Sequence, residues 1–139
     1  MHDTLPAKPR PDRTPESQPY WDGLLQHRLR LQRCADCGGI RHYPRPLCDV
    51  CLSFAAEWVE ASSEATVHSW TVAHHPFHPA FRGELPYTLV TADLPEGVRL
   101  VAQLRGAEAK ALHLGRRLRL DYEDIDATLT LPVFRLADG

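Results

Sequence analysis

A chain of 139 residues has room for one modest core and a small appendage. Its net charge of −2 and pI near 6.4 leave no electrostatic footprint for nucleic acid. No apolar run approaches the roughly 18 residues of a membrane span, so a soluble, cytoplasmic protein without a membrane partner is expected.

The charge is unevenly shared. Residues 1–51 carry eight Lys and Arg against six Asp and Glu, a sum of +2; residues 52–139 carry eight against twelve, a sum of −4. The pattern divides the chain into a Pro-rich arm (1–18), a helix with a ribbon (19–56) and a strand-rich domain (57–139).

Five of the twelve prolines (Pro6, Pro9, Pro11, Pro15 and Pro19) fall in the first nineteen residues, which reads as an extended arm, floppy or laid along a partner. Tyr20, Trp21, Leu24 and Leu25 then form a short helical stripe after Pro19, interrupted by Gly23. That stripe either caps the chain's own ribbon or docks on another protein. Arg28 to Arg33 alternates polar and apolar residues and predicts a strand, with Arg28, Arg30 and Arg33 on its open face.

The strand runs into Cys34-x-x-Cys37 and, after ten residues, Cys48-x-x-Cys51, which together hold all four cysteines. Two tight turns facing each other make a tetrahedral S4 cage suited to zinc, with iron as the geometric alternative. Disulfides need an oxidising compartment, and no apolar leader opens this sequence. His42 is expected at the surface, since four thiolates already fill the cage. A cage with four protein ligands has no open position for substrate and argues for a scaffold.

Beyond Cys51 the alternation predicts strands at 57–61, 65–73, 87–94, 97–104, 116–123 and 128–136, with one or two helical turns over Glu108–Leu114 stopped by Gly115. About five strands with a helical turn before the last two suggest a small OB-type barrel, ahead of an immunoglobulin-like sandwich. Trp70 and Tyr87 are expected in its core. The loop His74-His75-Pro-Phe77-His78-Pro-Ala-Phe81-Arg82 is the most unusual stretch, but nothing near it supplies a nucleophile or a fixed orienting carboxylate, although Glu84 is close. The reading therefore expects no catalytic residues. It also expects no single-stranded nucleic acid on the barrel, because Arg116, Arg117 and Arg119 are followed at once by Asp121, Glu123, Asp124 and Asp126.

The sequence resembles the zinc-ribbon OB-fold acyl-CoA-associated proteins, long known as a domain of unknown function. The residues that carry the resemblance are Pro19-Tyr-Trp-Asp-Gly, Leu31-Gln-Arg-Cys34-x-x-Cys37-Gly, Tyr43-Pro-Arg-Pro before Cys48-x-x-Cys51, Ser69-Trp-Thr-Val, Pro86-Tyr87, Glu96-Gly-Val-Arg-Leu and Leu131-Pro-Val-Phe. Leu52, after the second cysteine pair, departs from the small or polar residue of many ribbons. The resemblance implies a mainly β chain: an N-terminal helix and rubredoxin-like zinc ribbon, then a five-stranded OB-fold barrel. It further implies one structural zinc, a CoA thioester shared with a partner, and a non-catalytic subunit docking on a thiolase-type enzyme, or on an acyl-CoA hydratase or aldolase. Candidate acyl-CoA or partner contacts are Tyr20, Trp21, Arg30, Arg41, His74, His75, Phe77, Phe81, Arg82 and Tyr87.

Overall fold

The computed structural model describes residues 7–137. Helix α1 (Gln18–Leu25) starts with Pro19 in its first turn, where a missing N–H costs nothing. Its apolar stripe faces inward: Tyr20 is 3 % exposed and Leu24 0 %. The helix thus covers the chain's own core. Gly23 is there for space, because a Cβ would lie 2.9 Å from the Arg28 carbonyl oxygen.

Strands β1 (Arg30–Cys34), β2 (Ile40–Arg41) and β3 (Ala56–Glu60) form an antiparallel sheet in the order β2-β1-β3. The first strand begins two residues later than alternation suggests, because His27 turns the chain in a left-handed conformation (φ +56°). Five further strands follow: β4 (Glu64–Ala73), β5 (Tyr87–Asp93), β6 (Arg99–Leu104), β7 (Arg117–Asp126) and β8 (Leu129–Leu136). They close into a barrel in the order β4-β5-β6-β8-β7, so the chain is mainly β with a five-stranded OB barrel. The helical segment expected before the last two strands shortens to a 3-10 turn at Ala109–Ala111.

The closing seam is thin. β6 and β8 run parallel and pair at Gln103↔Val133 and Leu104↔Phe134. Above that junction the Tyr43 hydroxyl, reaching across from the ribbon, accepts from the Val101 N–H at 3.2 Å. One buried cluster spans both parts of the molecule: Tyr20, Leu24, Leu29 and Leu31 pack with Val90, Leu100, Leu118 and Phe134 of the barrel.

Three expectations need correction. Trp70 is 37 % exposed, and neither it nor the half-buried Tyr87 joins the buried cluster. A register shift between Val67 and Ser69 resets the alternation, and β7 pairs with β4 only at Glu64–Thr66, so the second half of β4 lacks a neighbour on that side. His42 is half-buried rather than on the open surface. Its ring packs 5.1 Å from Tyr20 and 4.0 Å from Tyr43, both ring nitrogens are enclosed with no partner among the described residues, and burial lowers its pKa to about 4. The arm, as far as it is described, lies against this chain's own barrel, with residues 1–6 outside the described residues. Lys8 pairs with Glu84 at 2.6 Å and sits 5.2 Å over the Phe81 ring. Arg10 grips Asp126 at 2.8 and 3.2 Å and the Thr128 hydroxyl at 2.7 Å, and Arg13 donates to the Thr128 carbonyl.

Candidate metal centre and adjoining surfaces

The two cysteine turns are built alike. In the first, the Gly38 N–H donates to the Cys34 carbonyl at 2.9 Å and the Cys37 N–H to the Cys34 sulfur at 3.4 Å. In the second, the Leu52 N–H donates to the Cys48 carbonyl at 3.1 Å and the Val50 N–H to the Cys48 sulfur at 3.4 Å. Each turn ends in the left-handed region, with Gly38 at φ +79° and Leu52 at φ +63°. Glycine adopts that conformation freely; leucine does so against the clash of its Cβ with the carbonyl.

All four sulfur atoms lie within 4.8 Å of one another, with Cys34–Cys51 at 3.5 Å and Cys37–Cys48 at 3.7 Å. A tetrahedron with metal–sulfur bonds of about 2.3 Å has edges of about 3.8 Å, whereas a disulfide draws its sulfurs to about 2.05 Å. The spacing therefore fits a metal and not two disulfides.

The protonation of the bare thiols tells the same story. Cys34 is lowered to about 6, first by the Cys37 backbone N–H, so its thiolate forms readily. Cys51 is pushed up to about 12: the Ser53 backbone N–H favours its thiolate, but the hydrogen bond shared with Cys34, burial and the other two sulfurs outweigh it. Four thiolates this close conflict unless a cation lies between them. Cys34, Cys37, Cys48 and Cys51 would hold that cation and fill a tetrahedral shell, so it would serve as a brace with no position for a reacting group.

The other candidate residues separate into distinct places. Tyr20, Trp21 and Phe81 line a groove between α1 and the barrel, joined there by Tyr43. Arg41, the second residue of β2, is buried; its Nη2 donates to the Arg45 carbonyl at 2.9 Å while Nε and Nη1 have no partner among the described residues. Arg30 packs its stem beside Gly23 and donates to Gln26 at 3.1 Å. His74, His75, Phe77 and Arg82 stay exposed in the β4–β5 loop, and Phe81 packs on Tyr87 at 5.6 Å. His78 caps the 3-10 turn Pro79–Glu84, its Nδ1 accepting from the Ala80 N–H at 3.1 Å. Among the described residues the loop histidines form no metal-binding group, and the four cysteines do.

Sequence reasoning missed Lys8, Arg10, Tyr43 and Arg105. Arg105 ties Glu123 at 2.8 and 3.1 Å and Glu84 at 3.6 Å, holding the loop to the barrel wall. These contacts join residues far apart in the chain, and no local pattern announces them.

Two family models match adjoining stretches: the ChsH2 rubredoxin-like zinc ribbon domain over residues 21–57 and the ChsH2 C-terminal OB-fold domain over residues 58–123. A solved structure of an Ltp2-ChsH2(DUF35) aldolase contains a chain 42 % identical to this one, with a TM-score of 0.84, matched over 93 % of this chain and 100 % of that one. The chain belongs to the ChsH2 (DUF35) family. Its ribbon is the family's zinc ribbon and contains all four cysteines.

Two curated relatives add to this. The probable enoyl-CoA hydratase alpha subunit of Thermomonospora curvata is 43 % identical over 130 residues, covering 94 % of this chain and 40 % of its own length. The 3-oxo-4,17-pregnadiene-20-carboxyl-CoA hydratase alpha subunit of Mycobacterium tuberculosis is 36 % identical over 118 residues, 85 % of this chain and 37 % of its own length. The chain thus spans about two fifths of the length of these two relatives. No helix among the described residues is long and apolar enough to cross a membrane.

Proposed function

We propose that this chain is a non-catalytic accessory subunit that docks on a thiolase-type enzyme and helps it make or break a carbon–carbon bond in an acyl-CoA. The observation that carries this reading is the match to the Ltp2-ChsH2(DUF35) aldolase chain along its whole length. A sulfur-filled metal cage supports it, because such a centre positions backbone without activating substrate. The CoA thioester is a ligand shared with the partner. The exposed surface offers contacts at Phe77 in the β4–β5 loop, at Val50 in the second cysteine turn and at Phe54 just after it. The buried Tyr20 contributes to the interior of the groove and not to a docking face.

Co-expression with a candidate thiolase-type enzyme tests the reading. The expected result is a hetero-oligomer in size-exclusion chromatography whose turnover of an acyl-CoA exceeds that of the enzyme alone. A chain that elutes apart and leaves each such enzyme's turnover unchanged overturns it. The two hydratase alpha subunits favour a second reading, in which the same scaffold serves an enzyme that adds water to an enoyl-CoA. Loss of the enoyl absorbance, rather than carbon–carbon cleavage, distinguishes that outcome.

A further inference from the structure

A groove of about 550 Å³ runs between the arm, α1 and the seam of the barrel, a volume within the range of small-molecule sites. Trp21, Tyr43, Val101, Leu131 and Val133 supply much of its apolar wall, and Ala7–Arg10 form one side. The Trp21 indole Nε1 is enclosed with no acceptor among the described residues. A buried donor left unpaired is costly in a finished core and natural in a site that receives an acceptor from outside.

The arm is held in a way that permits release. None of residues 7–13 is buried, and no backbone–backbone hydrogen bond fixes them among the described residues. Their anchors are Lys8 on Glu84 and over the Phe81 ring, Arg10 on Asp126 and Thr128, and Arg13 on the Thr128 carbonyl. The Arg10–Asp126 pair is exposed and the Lys8–Glu84 pair half-buried; ion pairs at the surface contribute little singly and are screened by salt. Once the arm departs, Glu84 and Glu123 keep Arg105, with Arg135 acting on Glu123 from further off, while Asp126 loses its arginine, which leaves the rim more negative. Such a rim repels a carboxylate or phosphate and accepts an uncharged chain.

We propose that residues 7–13 are a releasable strap over this groove, and that the groove admits an uncharged apolar chain bearing a carbonyl acceptor when the strap lifts. The choice of a thioester as that chain rests on the accessory-subunit reading; the strap rests on the geometry of this chain alone. While the strap is closed, apparent affinity falls in proportion to the open fraction.

The test is equilibrium binding of N-acetyl-S-decanoylcysteamine, a neutral thioester without the nucleotide, to the full metal-loaded chain, measured by calorimetry. Arg10→Glu turns the main anchor into a repulsion and is expected to tighten binding about three- to tenfold. Adding Asp126→Arg restores the pair with its signs exchanged and should return affinity towards that of the unaltered chain. Trp21→Phe, which removes the idle donor, should weaken binding several-fold. Decanoate should bind at least about tenfold more weakly than the thioester. Equal affinity of Arg10→Glu and the unaltered chain, a charge exchange that stays as open as the single variant, equal binding of decanoate, or no thioester binding by any variant would each overturn the proposal. Because no partner enzyme is present, failure here leaves the docking reading intact, and failure of docking leaves this result standing.

Discussion

Replacing Leu52 with glycine measures the backbone strain stored in the second cysteine turn. Leu52 sits at φ +63°, where an L-residue with a side chain gives up roughly 1–2 kcal/mol. The side chain is 67 % exposed, so removing it sacrifices little burial. Glycine gains freedom in the unfolded chain worth about 0.4–1 kcal/mol, which offsets part of the relief. The net expectation runs from no change to a gain of about 1.5 kcal/mol. Gly38→Ala is the mirror experiment at φ +79°: its Cβ would meet Arg33 Nη2 at 3.5 Å, an ordinary contact, so the loss is conformational and not steric. Thermal unfolding of both variants, loaded with zinc and checked for metal content, reads the difference, since 1 kcal/mol moves the midpoint by roughly 3–5 °C in a chain of this size. The signs should be opposite. A Leu52→Gly midpoint lowered by the equivalent of more than about 1 kcal/mol would refute the strain account and give the leucine side chain a structural contact of its own.

Metal analysis should return about one zinc per chain, and Cys48→Ser should lose it and expose the ribbon to protease; a Cys48→Ser chain that keeps its metal and its protection would contradict the centre described. Leu24→Ala should cost about 2–5 kcal/mol in denaturant unfolding, because Leu24 is fully buried between helix and barrel. His42 should make stability fall as pH drops. Its folded pKa of about 4 lies below the usual imidazole value, so between pH about 6.5 and about 4 the unfolded chain takes up a proton that the folded chain refuses. The loss should be on the order of 3 kcal/mol across that window, complete near its lower end, and absent from His42→Phe. Parallel stability curves for the two chains would show that the ring titrates normally.

The parts of this molecule that could be read from sequence are those whose signal is local. Cys34 and Cys37 are two residues from closing one turn, and the alternation of Leu118, Leu120 and Tyr122 marks a strand without reference to its neighbours. The failures share the opposite property. Trp70 lost its expected place because one register shift between Val67 and Ser69 changes the phase, and no residue type in β4 announces it. His42 is half-buried against Tyr20, which comes from a different element. The arm found its place through Arg10 and Asp126, 116 positions apart, and a proline-rich stretch looks the same whether free or strapped down. The stripe of α1 was legible as apolar, but its destination depended on the barrel assembled later in the chain.

The metal centre and the groove are coupled through one strand and one loop. β1 ends at Cys34 and, with the residue before it, carries Leu29 and Leu31 into the same buried cluster as Val90 and Phe134. The loop between the two cysteine turns carries His42 against Tyr20 and places the Tyr43 hydroxyl on the Val101 N–H. Fixing four sulfurs therefore fixes both ends of that loop, and with them the wall of the groove formed by Tyr43. A closed thiolate shell cannot touch a substrate, yet it sets the position of aromatic rings that line the groove. On the proposal that the groove takes a ligand, a centre without an open coordination position would bear on its recognition through the placement of Tyr43, beside the seam where β6 and β8 leave the barrel thinly closed.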